Sequence, residues 1–542
     1  MFKKLRAAAH SSKSGPESSQ NVGDGPYAKE NLTLLEGFEW YAPADGKHWR
    51  RLAHVTTHLK DIGIDYLWLP PGCKAEWHGS NGYDIYDLWD LGEFEQKGHR
   101  ATKWGSGEEL LALTEVAQRN GMGLLWDAVL NHKSAADYVE TCRAVAVDKK
   151  DRTREVSAEQ DIDVWTGYNF DGRGGKYSEM KYRWQHFSGT DWEAKMQNND
   201  NLYRFVGPGK PGWAPDVDDS EGNADFLMGN DLDYSQPDVR NDAMQWGTWI
   251  TERLGLAGFR LDAVKHFSSD FLRAWIAHLD AKCDPNAPLL MIGEYWRGEL
   301  APLGAMIKKF EGRLRLFDVP LASNMSKLSL EKEKGDLRSI MDKSLLKHSP
   351  GQAVPFVLNH DTQTRYERDH SVIAMSPWFI PLANAFILLR SDSILPCVFY
   401  GDLYGISGEH PLPPSCGGNL PKLILARKLL AYGPMREYLD EANCIGFTRS
   451  GDSRHPEGLA VVIGNARRVC WKRMNVGAAH KDEVWTDVLE AAAGEVVIGR
   501  NGYGMFSCAP GSVSVWCRRN SSARAKIDDM NFDSDIYNMK LD

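Results

Sequence analysis

The stretch "DVRNDAMQWGTWITERLGLAGFRLDAVKH", residues 238–266, decides the architecture. Its first part reads as a helix over 238–254 and its second as a buried strand from 258. The strand runs out into Arg260, Asp262, Lys265 and His266, a full set of charged and titratable groups within seven residues. A plain structural account is an ion pair between Arg260 and Asp262, which share one face because side chains alternate along a strand. Buried ion pairs seldom stabilise much, since desolvation roughly offsets the attraction. The rest of the chain has to say why these groups are there.

Working outward, the same unit recurs. Upstream, "LTLLEGFEWY" reads as a strand, "HWRRLAHVTTHLKDIG" as a helix, "IDYLWLPP" as a strand, "GSGEELLALTEVAQRNG" as a helix and "MGLLWDAVLNH" as a third strand. Downstream, "SSDFLRAWIAHLDAKC" pairs with "LLMIGEYW", "GELAPLGAMIKKFEG" with "LRLFDVPL", "GDLRSIMDKSLLKHS" with "AVPFVLNHD" and "SPWFIPLANAFILLRS" with "ILPCVFYGD", before a last helix, "GNLPKLILARKLLAYG". Eight strands, each followed by a helix, predict an α/β fold, the TIM (β/α)8 barrel. The alternative, an open doubly wound sheet, carries a glycine-rich phosphate loop after its first strand, and "GFEWYAPADG" is not one.

The expected layout assigns 31–132 and 225–434 to the barrel. Residues 133–224 are too long for a plain loop and too poor in helical periodicity, and read as an irregular β domain inserted after the third strand. Short alternating strands over 435–519 suggest a β-sandwich. Residues 1–30 and 520–542 read as disordered tails; the basic and serine-rich start leaves a mitochondrial presequence open, but it has no apolar core and is not a secretory signal.

A net charge of −10 and the absence of a long basic run argue against nucleic acid or an anionic membrane as partner. No apolar stretch is long enough to cross a bilayer. Nine dispersed cysteines without a CxxC pair suggest reduced thiols and a cytoplasmic protein; a monomer is expected. Nineteen tryptophans exceed the usual complement, and exposed ones make flat platforms for sugar rings.

Barrel enzymes place reacting groups at the carboxyl ends of their strands. Those ends carry Asn131 and His132, then Asp262, Lys265 and His266, then Glu294, then His360 and Asp361. Any one aspartate there is more often a helix cap, but four such strand ends in one barrel are not chance. Three carboxylates around a pocket suit glycoside hydrolysis, in which retaining enzymes hold a nucleophile and an acid about 5 Å apart. Arg260 is expected to hold Asp262 ionised. Glu294, following the apolar "LLMIG", is expected to be desolvated and to stay an acid.

"DAVLNH", "GFRLDAVKH", "GEYW" and "FVLNHD" resemble, in order and spacing, the four signature segments of the α-amylase family of glycoside hydrolases. "GFEWYAPADGKHWRRL", "NGYDIYDLWDLGEF" and "DLDYSQPDVR" look like its liquefying members, and "LPPGCKAEW" looks closest to intracellular fungal ones. The resemblance implies Asp262 as nucleophile, Glu294 as general acid/base and Asp361 as the third carboxylate gripping the sugar. It implies that His132 and His360 hydrogen-bond the sugar, that Tyr83 stacks on it, and that Lys265, His266 and Trp296 line the subsites beyond the scissile bond. It further implies a Ca²⁺ ion held by Asn131, Asp225, Asp231 and the His266 carbonyl, oxygen ligands of the kind calcium takes.

Ser188 and Ala214 stand where the resemblance leads one to expect aspartates, so one loosely held ion is expected. Leu358 replaces an acidic residue before "NHD", and "TQTRYERDHSVIAMS" is unlike the relatives, which bears on specificity. The leading reading is an endo-acting, retaining α-1,4-glucan hydrolase acting on α-glucan or malto-oligosaccharide. A transglycosylase using the same residues and a catalytically silent glucan-binding protein are the alternatives.

Overall fold

A computed structural model describes residues 30–197, 200–285, 287–363, 373–390 and 394–541. The expected tail over 1–29 and most of the unusual segment after Asp361 (residues 364–372) lie outside the described residues.

Eight parallel strands form one sheet: β1 (Leu34–Glu36), β2 (Tyr66–Leu69), β3 (Gly123–Ala128), β4 (Gly258–Leu261), β5 (Leu290–Gly293), β6 (Arg315–Phe317), β7 (Ala353–Val354) and β8 (Cys397–Phe399). From β1 to β7 each pairs with the next, and β8 pairs with β1 with Leu34 opposite Cys397. Pro355 has no N–H to extend β7, yet its carbonyl accepts the Cys397 N–H at 2.8 Å, and a parallel bridge from Phe356 to Cys397 closes the ring. The strands are buried almost throughout, which is why they read as apolar runs without alternation.

Helices cover the barrel: α1 (His48–Asp61), α2 (Gly107–Arg119), α3 (Pro237–Leu254), α4 (Ser269–Asp280), α5 (Leu300–Lys309), α6 (Val319–Glu331), α7 (Ile380–Leu389) and α8 (Leu420–Leu430). Their ends are written locally. Ser106 and Glu109 form a reciprocal cap on α2, Pro237 opens α3, and Gly255 closes α3 in the left-handed conformation at φ 58°.

The sixth helix departs from expectation. "LRLFDVPL" ends as a strand at Phe317, and Pro320 lies in the first turn of α6, where no intrahelical N–H is needed. The helix expected over "GDLRSIMDKSLLKHS" is instead turns and two short helical pieces, a 3-10 turn at Leu337–Ser339 and Leu345–His348. Asp318 holds α6 and the second piece, capping α6 at Leu321 and accepting the N–H groups of Leu345 and Leu346.

The insertion after β3 is a six-stranded antiparallel sheet. It extends past both expected boundaries, because His132–Lys133 and Asn230–Leu232 are two of its strands and place His132 opposite Asp231. Beyond the barrel, a six-stranded sheet beginning at Met435–Glu441 packs against the paired strands Cys470–Asn475 and Tyr503–Cys508. Val462, Met474, Trp485, Phe506 and Trp516 fill the core between them.

The expected disordered C-terminal tail is a correction. Ser522–Asp528 is a helix packed on α8, and Ile527 and Ile536 are fully buried, so a polar segment is anchored by a few apolar side chains. All nine cysteines are free. Among the described residues no helix is long and apolar enough to cross a membrane.

Candidate active site

The carboxyl ends of β3, β4 and β5 meet at one guanidinium. Arg260 Nη1 donates to Asp127 Oδ1 at 2.8 Å and to Asp262 Oδ1 at 2.6 Å. Its Nη2 lies 2.7 Å from Glu294 Oε1, in contact but not aligned as a hydrogen bond. The guanidinium also stacks near the Trp68 and Tyr83 rings, at 5.0 and 5.7 Å. Asp127 Oδ2 accepts from the Tyr83 hydroxyl (2.8 Å) and Trp68 Nε1 (3.0 Å), so the interior ends of β2 and β3 set the Arg260 fork.

The chain then turns sharply. Ala263, directly after Asp262, takes a left-handed φ of 48°, uncommon for a residue with a Cβ. That turn aims its N–H at Glu294 Oε2 (3.0 Å), and Val264 N–H bonds the Glu294 carbonyl.

The pKa values follow from burial. Desolvation raises Asp262 to about 6, Asp127 adds to this, and Arg260 opposes it. Glu294 is raised by the same burial, with Asp262 adding and Arg260 opposing. Arg260 acts on Asp262 in the expected direction, favouring the ionised form, but one guanidinium shared among three carboxylates does not fully offset burial. The expected retention of a proton near Glu294 agrees with the direction of its shift.

From β7, His360 Nδ1 bonds Glu36 Oε1 at 2.6 Å, and its Nε2 lies 3.5 Å from Asp361 Oδ2. Burial disfavours the charged ring, but Asp361 and Glu36 outweigh it and raise His360 to about 9. Tyr83 and Trp40 both lie nearly parallel to this imidazole, at 5.1 and 6.0 Å. His132 Nε2 meets the Tyr83 carbonyl at 2.8 Å, and burial lowers its pKa to about 4. Trp296 is half-buried at the rim beside Phe356, and Leu358 is buried in the core. Lys265 lies farther out, lining a cavity of about 480 Å³ with Asp216, Asp218 and Tyr295.

Asp262, Glu294, Asp361, His132, His360 and Tyr83 are thus brought together at the strand ends with Trp296 near them, while Lys265 lies farther out and the His266 ring faces the inserted domain. Asp127, Glu36, Trp40 and Trp68 were missed. Trp165 and Trp192 of the inserted domain stand exposed beside a cavity of about 580 Å³. An acidic residue inside an apolar strand run, as in "LLWDAVL", is the signal that marked Asp127.

Where the insertion meets the barrel, the Asn131 amide faces three oxygens: the Asp225 carbonyl (3.1 Å), Asp231 Oδ1 (3.0 Å) and the His266 carbonyl (3.0 Å). The His266 ring bonds the Ala224 carbonyl at 2.6 Å, and burial lowers its pKa to about 4. Burial raises Asp225 to about 7 and pushes Asp231 up further, with Asp225 adding to it. Asp231 Oδ2 is buried without a hydrogen-bond partner. Ser188 lies against Asp231, and Ala214 offers its N–H to Asp225 at 2.8 Å. An orphaned carboxylate oxygen among carbonyls fits a hard cation such as Ca²⁺. The fit depends on those carbonyls, because among the described residues no three His, Cys, Asp or Glu side chains form a metal-holding group.

Residues 44–452 match the alpha-amylase catalytic domain. The chain belongs to the alpha-amylase family. It is 40% identical over 490 residues to the glucan 1,4-alpha-maltohexaosidase of Bacillus sp. (strain 707), covering 90% of this chain and 93% of the relative. It is 40% identical over 494 residues to the alpha-amylase of Bacillus licheniformis, covering 91% and 94%. To the cytoplasmic alpha-amylase of Escherichia coli (strain K12) it is 39% identical over 496 residues, covering 90% and 98%. The solved alpha-amylase of Geobacillus thermoleovorans superimposes with a TM-score of 0.61 at 16% identity, covering 92% and 100%, a likeness of fold. The expected kinship to intracellular fungal members is corrected, because these 39–40% relatives are bacterial. The chain is a glycoside hydrolase of the alpha-amylase type.

Proposed function

We propose that the chain cleaves internal α-1,4 bonds of glucan with retention, through a covalent glycosyl-enzyme on Asp262. The observation that supports this is the meeting of Asp262 and Glu294 on opposite arms of Arg260, one guanidinium locating both carboxyls. Asp262 attacks the anomeric carbon while protonated Glu294 gives its proton to the departing glycosidic oxygen. Glu294, now ionised, takes a proton from water, which attacks the same carbon and frees Asp262. Asp361, the exposed carboxylate beside His360, grips the sugar hydroxyls and stabilises the oxocarbenium-like state. His132, His360, Tyr83 and Trp40 bind the cleaved unit, and Lys265, His266 and Trp296 border the acceptor side.

Asn131, Asp225, Asp231 and the His266 carbonyl would hold one Ca²⁺. The ion would supply positive charge that Asp225 and Asp231 otherwise lack, pinning the inserted sheet to the barrel. The reading extends to a monomer working in the cytoplasm on malto-oligosaccharide, without nucleic acid or membrane partner. The cytoplasmic alpha-amylase of Escherichia coli as a relative and the nine free cysteines support that compartment.

The test is a time course on maltoheptaose by chromatography, with NMR of the first-formed anomers. Shorter products released as α-anomers are expected. First-formed β-anomers would exclude the covalent route, and products longer than the substrate would favour transfer to sugar over hydrolysis.

A further inference from the structure

Glu39, three residues past β1, is fully buried and joins four segments distant in sequence. Its Oε1 accepts from Ser407 N (3.1 Å) and Oγ (2.8 Å), beyond β8, and from the Tyr537 hydroxyl (3.1 Å). Its Oε2 accepts from Tyr41 N (2.7 Å) and from Gln363 Nε2 (3.2 Å). Gln363 is fully buried two residues past Asp361, and its Oε1 accepts the Trp40 N–H at 2.9 Å. Trp40 lies parallel to Tyr83 and to His360, both at 6.0 Å. A hydroxyl from the C-terminal strap is thus two hydrogen bonds from the Asp361 loop and three from Trp40 in the aromatic wall of the cleft.

The strap is held there by other contacts. Ile527 and Ile536 are buried, Phe532 packs on Tyr404 at 5.4 Å, and the Tyr537 ring sits 6.3 Å from Tyr400 and 5.6 Å from the Arg51 guanidinium. Ring and isoleucines anchor the strap, and the hydroxyl faces Glu39 as well as the Tyr400 hydroxyl. A buried carboxylate takes its position from its donors, because an unmatched oxygen is costly. Losing one donor from Oε1 lets the group turn toward those that remain and draws Gln363 with it.

We propose that Tyr537 is a positioning residue for glucan hydrolysis, acting through Glu39 and Gln363 on Trp40 and Asp361. The proposal rests on the function argued above, and Tyr537 lies outside the residues matched by the family.

The experiment uses the full-length chain, Tyr537→Phe, Glu39→Gln and the double variant, with maltoheptaose kinetics, melting temperature and hydrogen exchange over residues 38–42 and 359–363. Tyr537→Phe keeps the ring, so its melting temperature should stay within a few degrees. Its kcat/KM should fall about threefold to tenfold, the cost of one buried hydrogen bond, and both segments should exchange faster. Its effect should largely vanish in the Glu39→Gln background. Deleting residues 531–542 should reproduce the kinetic loss and add a fall in melting temperature. Unchanged kcat/KM and exchange in Tyr537→Phe, with or without a lower melting temperature, would overturn the proposal. So would full additivity with Glu39→Gln. If even the unaltered chain leaves maltoheptaose intact, the glucan reading fails, while the exchange difference still decides whether Tyr537 reaches this loop.

Discussion

Two groups of buried carboxylates sit on the same face of the barrel and meet their mutual repulsion in different ways. At the mouth, Asp127, Asp262 and Glu294 share the guanidinium of Arg260, with N–O distances of 2.6–2.8 Å. Beside the inserted sheet, Asp225 and Asp231 are as deeply buried, yet among the described residues no ion pair reaches either one. Their neighbour Asp233 is different again, paired with Lys210 at 2.6 Å, which holds its pKa down against burial. A carboxyl in contact with a guanidinium keeps a positive partner whatever the solution holds, although burial still raises its pKa. One without must take up protons or an ion, so its state depends on the solution. The carboxyls proposed to react are built the first way and the junction the second.

The largest effects should fall on the first group. Asp262→Asn should lower kcat by at least about 10⁴-fold while glucan binding persists, as loss of a nucleophile does. A variant turning over at the normal rate would remove Asp262 from the mechanism. Glu294→Gln should cost about 10²–10⁴-fold on natural glucan and far less on an aryl glycoside whose leaving group needs no proton. Equal losses on the two substrates would show that Glu294 is not the proton donor.

The second group should answer to calcium rather than to catalysis. In chelator-treated protein, millimolar Ca²⁺ should raise the melting temperature by a few degrees, equivalent to ~1–3 kcal/mol for one weakly held ion. Asp231→Asn should abolish that increment. An unchanged melting curve in the unaltered protein would mean that protons alone satisfy the junction, and the contrast between the two groups would rest on protonation only.

How much of this was legible follows from the range of each interaction. The barrel could be read because its unit repeats and its strands are uniformly apolar. Asp262, Glu294 and His360 could be read because they sit where those runs stop. Asp127 stays inside its run, and its role appears only when Arg260, 133 positions later, folds against it. Glu36 lies 324 positions from the His360 ring it holds, a separation no local pattern reports. The α6 boundary was misread because Pro320 breaks a strand and opens a helix equally well. The C-terminal strap has no periodicity at all: isolated residues such as Ile527, Ile536 and Tyr537 fix it, each against a surface made elsewhere in the chain.

The finest distinction concerns what Asp127 does for its cluster. The proposed mechanism needs Asp262 ionised, so kcat/KM should fall as the pH drops through about 6, the value to which burial raises it. That limb belongs to the cluster as a whole, since its carboxyls titrate together. The Asp127 charge adds to the raised value, while the Arg260 fork it orients works against it. Asp127→Asn removes the first influence and keeps an oxygen for Arg260 and a partner for Tyr83. If charge dominates, the acid limb should move down by several tenths of a pH unit and activity should extend to lower pH. If aiming Arg260 dominates, the loosened guanidinium should let the limb move up, with a loss of kcat at every pH. The downward shift is expected, because Arg260 retains its contacts to Asp262 and Glu294 without Asp127.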